Sequence, residues 1–139
     1  MLEDAAKKLE AALKKTIHPV PKESEEQIAL FRWASLCKNT YPELNLLHHI
    51  PNGGTRNKAE AARLKAEGVK PGVPDLCLPV PRGQYHGLYI ELKRKHGGRI
   101  SKPQSEWIDA LLMHGYCAAV CNGWEEAKGM IERYLKGKC

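Results

Sequence analysis

No stretch of about eighteen or more apolar residues occurs in this 139-residue chain, which excludes a transmembrane helix. The N-terminus, Met1-Leu2-Glu3-Asp4, lacks a basic segment followed by an apolar one and does not read as a signal peptide. A soluble intracellular protein is the expectation. The five cysteines are odd in number and form no Cys-x-x-Cys pair, which argues against a disulfide framework. Cys77, Cys117 and Cys121 lie in apolar runs and read as small buried hydrophobes. A zinc site would have to recruit His48 and His49, and no second pair has a ligand's spacing. Internal repeats and low-complexity segments are absent as well.

What is present fits one domain with room for a core of several strands and helices. The formal charge of +6 and the pI of about 9.1 favour a polyanionic partner. Residues 2–15 place Leu2, Ala5, Ala6, Leu9, Ala12 and Leu13 on one stripe, predicting an amphipathic helix that Pro19 and Pro21 terminate. Residues 1–22 are therefore an arm and linker, and 23–139 the domain. Ser24-Glu25-Glu26-Gln27 reads as a capping box opening a helix to about Lys38. Glu26, Leu30, Trp33 and Cys37 share a stripe of that helix, so Glu26 either complements the helix dipole or points into a cleft. Leu44 to Ile50 reads as a strand and Pro51-Asn52-Gly53-Gly54 as a turn. A helix follows over Asn57–Glu67, then two strands around Asp75–Val80 and Gly87–Lys93. Ser101 is the expected N-cap of the next helix, with Pro103 in its first turn. Tyr116–Cys121 reads as a buried strand and Gly123–Lys136 as a final helix. Strands adjacent in sequence and flanked by helices predict an α/β fold with a mixed sheet. Trp33, Trp107 and Trp124 lie on apolar helix stripes and are expected in the core.

Chemistry concentrates in Gly72-Val73-Pro74-Asp75 and, fifteen residues later, Glu91-Leu92-Lys93. A carboxylate opening one strand and a second beside a lysine on the next can converge on one point. Two carboxylates hold a divalent cation, and a lysine holds or activates water beside it. Taken singly, Glu-Leu-Lys on a strand is more often an exposed salt bridge. The basic loop Arg94-Lys95-His96-Gly97-Gly98-Arg99 is, likewise, more often a solvated turn than a nucleic-acid contact.

Aspartate followed by Glu-x-Lys on the next strand resembles the PD-(D/E)XK nuclease signature. Further pieces follow in order: Pro51-Asn52-Gly53-Gly54-x-Arg56, Gly72-Val73-Pro74-Asp75, Tyr89 to Lys93, Gly98-Arg99-x-Ser101-x-x-Gln104-x-x-Trp107, and Gly115-Tyr116. This set resembles the VRR-NUC domain family, in particular small stand-alone phage and bacterial members, over roughly residues 24–135. The Val-Arg-Arg of the family's name is absent. The resemblance implies a restriction-endonuclease-like fold and a nuclease using Mg²⁺ or Mn²⁺. It makes Asp75, Glu91 and the carbonyl of Leu92 metal ligands. Lys93 becomes the residue that orients or activates the attacking water, Gln104 the family's glutamine, and Glu26 the helical acid near the metal. Glu23 and Glu25 remain alternatives to Glu26. Beside such a centre, Arg56, Lys58, Arg82, Arg94, Lys95, Arg99 and Lys102 become candidates for backbone phosphate contacts in DNA.

Stand-alone members that the chain resembles are homodimers acting on four-way (Holliday) junctions, in the cytoplasm of a bacterial cell or phage-infected host. The leading expectation is thus a metal-dependent, structure-selective DNA endonuclease whose arm contributes to a dimer. One alternative is a nuclease for flaps, nicks or forks. The other is a non-catalytic DNA-binding module with the same fold, which intact Asp75, Glu91, Lys93 and Gln104 argue against.

Overall fold

The computed structural model of the protein describes residues 1–17, 20–52 and 57–139. Helix α1 (Leu2–Ile17) comes first, and the side chains of residues 1–11 are all exposed. Helix α2 (Glu23–Leu36) follows, then a 3₁₀ turn (Pro42–Leu46) and the two-residue strand β1 (His48–His49). Next come α3 (Lys58–Ala66), β2 (Leu76–Leu78) and β3 (Leu88–Lys93). Helix α4 (Lys102–Met113), strand β4 (Cys117–Asn122) and α5 (Trp124–Leu135) complete the chain. Gly53, Gly54 and Arg56 of the expected turn, and His18 and Pro19 of the linker, lie outside the described residues.

The sheet is mixed, as the spacing of the strands predicts, with order β1-β2-β3-β4. β1 pairs antiparallel with β2, and β2 with β3 through Leu76↔Ile90 and Leu78↔Leu88. β3 and β4 are parallel, from Leu88↔Cys117 to Lys93↔Asn122, and a parallel pair needs the crossover that α4 supplies. Pleating sorts β3 by parity: Leu88, Ile90 and Leu92 join Leu30 of α2 and Ile131 of α5 in one core. Each of these residues is 1% exposed or less, a burial that contributes about 1.5–3 kcal/mol per aliphatic side chain. Tyr89, Glu91 and Lys93 take the other face. Cys77, Cys117 and Cys121 are buried, as expected, and Trp33 and Trp124 pack against the core while Trp107 is half-buried.

Three expectations need correction. The strand expected over Leu44–Ile50 is mostly the 3₁₀ turn, because Leu44 and Leu47, three residues apart, are the buried pair. Ser24 does not cap α2: the helix starts earlier, at Lys22, whose N–H donates to Glu25 (3.1 Å). Strand β4 is an edge with one neighbour, so Ala118, Ala119 and Val120 are only half-buried.

Glycine decides one approach that matters for the site. Gly72 has φ +89°, and a Cβ there would lie 2.4 Å from the Pro103 carbonyl carbon. Only glycine lets the segment leading to Asp75 cross the start of α4 this closely.

Candidate active site

Asp75 immediately precedes β2, and its Oδ2 accepts the Leu92 N–H of β3 at 2.8 Å. Its own carbonyl accepts the Ile50 N–H (2.7 Å) and the His49 Nδ1 (2.9 Å), so the short β1 strand braces it from behind. Because a carbonyl only accepts, Nδ1 of His49 carries the proton. Glu91 is 2% exposed. Its Oε1 accepts the amide of Gln104 (2.8 Å) and faces Lys93 Nζ at 3.5 Å. Lys93, itself buried, also meets Glu23 of α2 at 3.9 Å. Asp75, Glu91 and Lys93 therefore converge on one place, at the ends of two strands.

The electrostatics are unsettled by design of the burial. Burial first, then the neighbouring Asp75 charge, push the Glu91 carboxyl up to about 7, and Lys93 pulls the other way. Asp75 stands close enough for its charge to act on Glu91. Glu91 Oε2 is buried and accepts no hydrogen bond. Two carboxylates at close range, one with an orphaned buried oxygen, call for a proton or a cation between them. Oxygen donors in a sparse set suit a hard divalent ion such as Mg²⁺. Among the described residues no group of three or more His, Cys, Asp and Glu side chains gathers as a metal cluster, so the pair would be completed by backbone oxygen and water.

Gln104 is tied at both ends. Its Oε1 accepts the Ser101 N–H (2.9 Å) and its backbone N–H donates to Ser101 Oγ (3.3 Å), closing the expected capping box of α4. Its amide nitrogen is thereby aimed at Glu91. A cavity of about 230 Å³ opens on the same place, lined by Glu23, Ser24, Gln27, His49, Asp75 and Leu92.

Helix α2 presents Glu23 to the site and turns Glu26 away from it. Glu26, 2% exposed, accepts the Trp124 N–H at 2.6 Å and so caps the start of α5. Gly123, with φ +90°, carries the chain past it; a Cβ there would meet Lys95 Cγ at 2.7 Å and Glu26 Oε2 at 3.0 Å. Glu26, the helical acid that the resemblance implies, is thus engaged with the start of α5, while Glu23 is the α2 carboxylate that meets Lys93 and Glu25 is held on the Lys22 N–H.

The expected phosphate contacts disperse. Arg56 lies outside the described residues. Lys58 is exposed on α3. Arg82 is withdrawn into structure: it donates to the carbonyls of Leu135 (3.2 Å) and Pro81 (2.7 Å) and pairs with Glu43 at 3.8 Å. Lys95 pairs with Glu125 at 3.1 Å, and Lys102 with Glu106 at 3.9 Å. Of the six that are described, Arg94 and Arg99 border a groove next to the carboxylates, together with Lys22. His49, Ser24, Gln27 and Lys22 have no place in the sequence-based assignment. Glu23 and Gln27 are four residues apart on one helix face, a spacing that could have paired them; His49 gave no signal beyond its type.

The VRR-NUC domain family profile matches residues 5–125. A solved structure described as a VRR_NUC domain protein is 35% identical, with a TM-score of 0.73 over 84% of this chain and 90% of that one. No curated protein matches the chain.

Proposed function

The chain belongs to the VRR-NUC domain family, a nuclease family, and from that premise we propose a metal-dependent DNA endonuclease selecting branched structures, four-way junctions first among them. The observation that carries the reading is the orphaned, buried Glu91 Oε2, with Asp75 near it and Lys93 Nζ 3.5 Å from the same carboxylate's Oε1. Asp75, Glu91 and the Leu92 carbonyl would hold Mg²⁺ or Mn²⁺. When bound, such an ion supplies positive charge between the carboxylates and Lewis acidity toward a phosphodiester oxygen.

The protein groups divide the remaining work. Lys93, fixed by Glu91 and Glu23, keeps an ammonium where a water is oriented and where charge builds on the phosphate. Gln104 holds Glu91 in one rotamer. The Leu92 N–H holds Asp75. Glu26 acts through the fold, by fixing the turn that follows β4. Specificity for structure rather than sequence is supported by cations that suit phosphates, contacts that position a duplex without reading its bases. A homodimer would present two such centres to two symmetric strands.

Labelled four-way junctions, flaps, nicked and plain duplexes at equal salt, with Mg²⁺, Mn²⁺ or EDTA, test this. Cleavage of the junction in metal and none in EDTA is expected. Preference for flaps or nicks would replace the substrate, and binding without cleavage would leave a non-catalytic module.

A further inference from the structure

Beside the carboxylate cavity runs a second groove of about 420 Å³, lined by Lys22, Glu23, Ser24, Arg94, Arg99 and the Gly97-Gly98 turn. The two share Glu23 and Ser24 in their linings, so they lie side by side. Three cations face the groove against a single carboxylate, and that carboxylate lies 3.9 Å from Lys93. Lys22 and Arg99 are exposed. Arg94 is braced over its own loop, donating to the Gly97 carbonyl at 3.2 Å. The turn is shaped for this position: a Cβ on Gly97 would meet Arg94 Nη2 at 3.0 Å, and one on Gly98 would meet Lys93 Cβ at 2.9 Å. Two glycines thus fold the basic loop directly onto the catalytic lysine.

We propose that this groove is a subsite for the nucleic-acid backbone, in which Lys22, Arg94 and Arg99 grip the phosphate next to the one being cut. This rests on the nuclease reading above and adds to it a register. A grip one phosphate away fixes which phosphodiester enters the carboxylate pocket, while Lys95 and Lys102 are paired elsewhere.

The test has two arms. In EDTA, DNA binding by fluorescence anisotropy is followed against salt for wild type and for Lys22→Ala/Arg99→Ala. The double variant is expected to lower the slope of log affinity against log salt by up to about 1, the worth of the one phosphate the groove neutralises. The matched control Lys136→Ala/Lys138→Ala removes the same charge far along the chain and is expected to change it less. Equal slopes for the two variants overturn the proposal. In the second arm, methylphosphonates neutralise single phosphates flanking the cut. One such position is expected to slow wild-type cleavage by about tenfold, the worth of one charged contact, and to slow the double variant, which keeps only Arg94 in the groove, clearly less. A penalty that persists undiminished in the variant overturns the subsite and leaves the nuclease reading standing. A wild type that cuts no DNA with either metal overturns both. Circular dichroism confirms that the variants, altered only at exposed side chains, are folded.

Discussion

Glu91 is buried against Asp75, and folding holds its carboxyl up to about 7, from an ordinary value of 4.5. The folded chain therefore binds a proton there that the unfolded chain releases between those two values. Stability from this group is complete below about 4.5 and is lost as pH rises through about 7. At pH 8 in EDTA, Glu91→Gln is expected to raise stability by on the order of 1–3 kcal/mol, seen as a higher melting temperature, and to leave it nearly unchanged at pH 5. Scanning fluorimetry across that range checks it; a variant less stable than wild type at pH 8 contradicts it. Divalent ions compete with the proton, so their affinity should climb with pH through the same window. The residue types at this site were legible in the sequence: Asp75, Glu91, Lys93 and Gln104 meet as the motif suggests. Which of Glu23, Glu25 and Glu26, all in the first turn of α2, faces them was not, because that depends on how the helix is rotated against the sheet.

Helix starts govern the site at the next scale. Helix α4 opens with Ser101 and Gln104 in a box that also aims Gln104 at Glu91. Helix α5 opens on a glycine and borrows its cap from Glu26, 98 residues away in sequence. Glu26→Ala should cost about 1–3 kcal/mol of stability by leaving a buried donor unpaired, with cleavage per folded molecule altered little. Glu23→Gln should do the opposite, lowering turnover through Lys93 with stability nearly unchanged. Denaturant midpoints and single-turnover rates on both variants separate the roles; a Glu26 variant that is stable but inactive would restore Glu26 to the chemistry. Local caps such as Asn57 and Ser101 could be read from the chain, since donor and acceptor sit within one turn. A cap supplied across the fold, as Glu26 supplies it, leaves no local pattern. The same limit hid the 3₁₀ turn, where a spacing of three between Leu44 and Leu47 imitates part of a strand's apolar run.

Among the described residues, α1 and the outer side of α2 both turn apolar side chains outward. Helix α1 exposes Leu2 and Leu9, and the outer side of α2 exposes Ile28 and Leu36 along a groove of about 640 Å³ that includes Phe31. That groove contains neither carboxylate of the site, and its character suits a helix of matching stripe. We propose that these faces are covered in a homodimer. Leu36→Glu is expected to shift the protein from dimer to monomer in sedimentation at micromolar concentration; a wild-type monomer under those conditions would contradict it. The mixed sheet and its helices were foreseeable from strand and helix order, whereas the edge position of β4 was not, since apolar runs do not encode how many neighbours a strand has.

The convergence of Asp75, Glu91 and Lys93 is tested most directly by single-turnover cleavage of a labelled four-way junction in Mn²⁺ or Mg²⁺. Wild type is expected to cut, and Asp75→Ala and Glu91→Ala to lose at least about a hundredfold in rate, with junction affinity changed by less than about threefold. Cleavage by either variant at a rate near that of wild type would contradict a cation-holding phosphodiesterase centre at these residues.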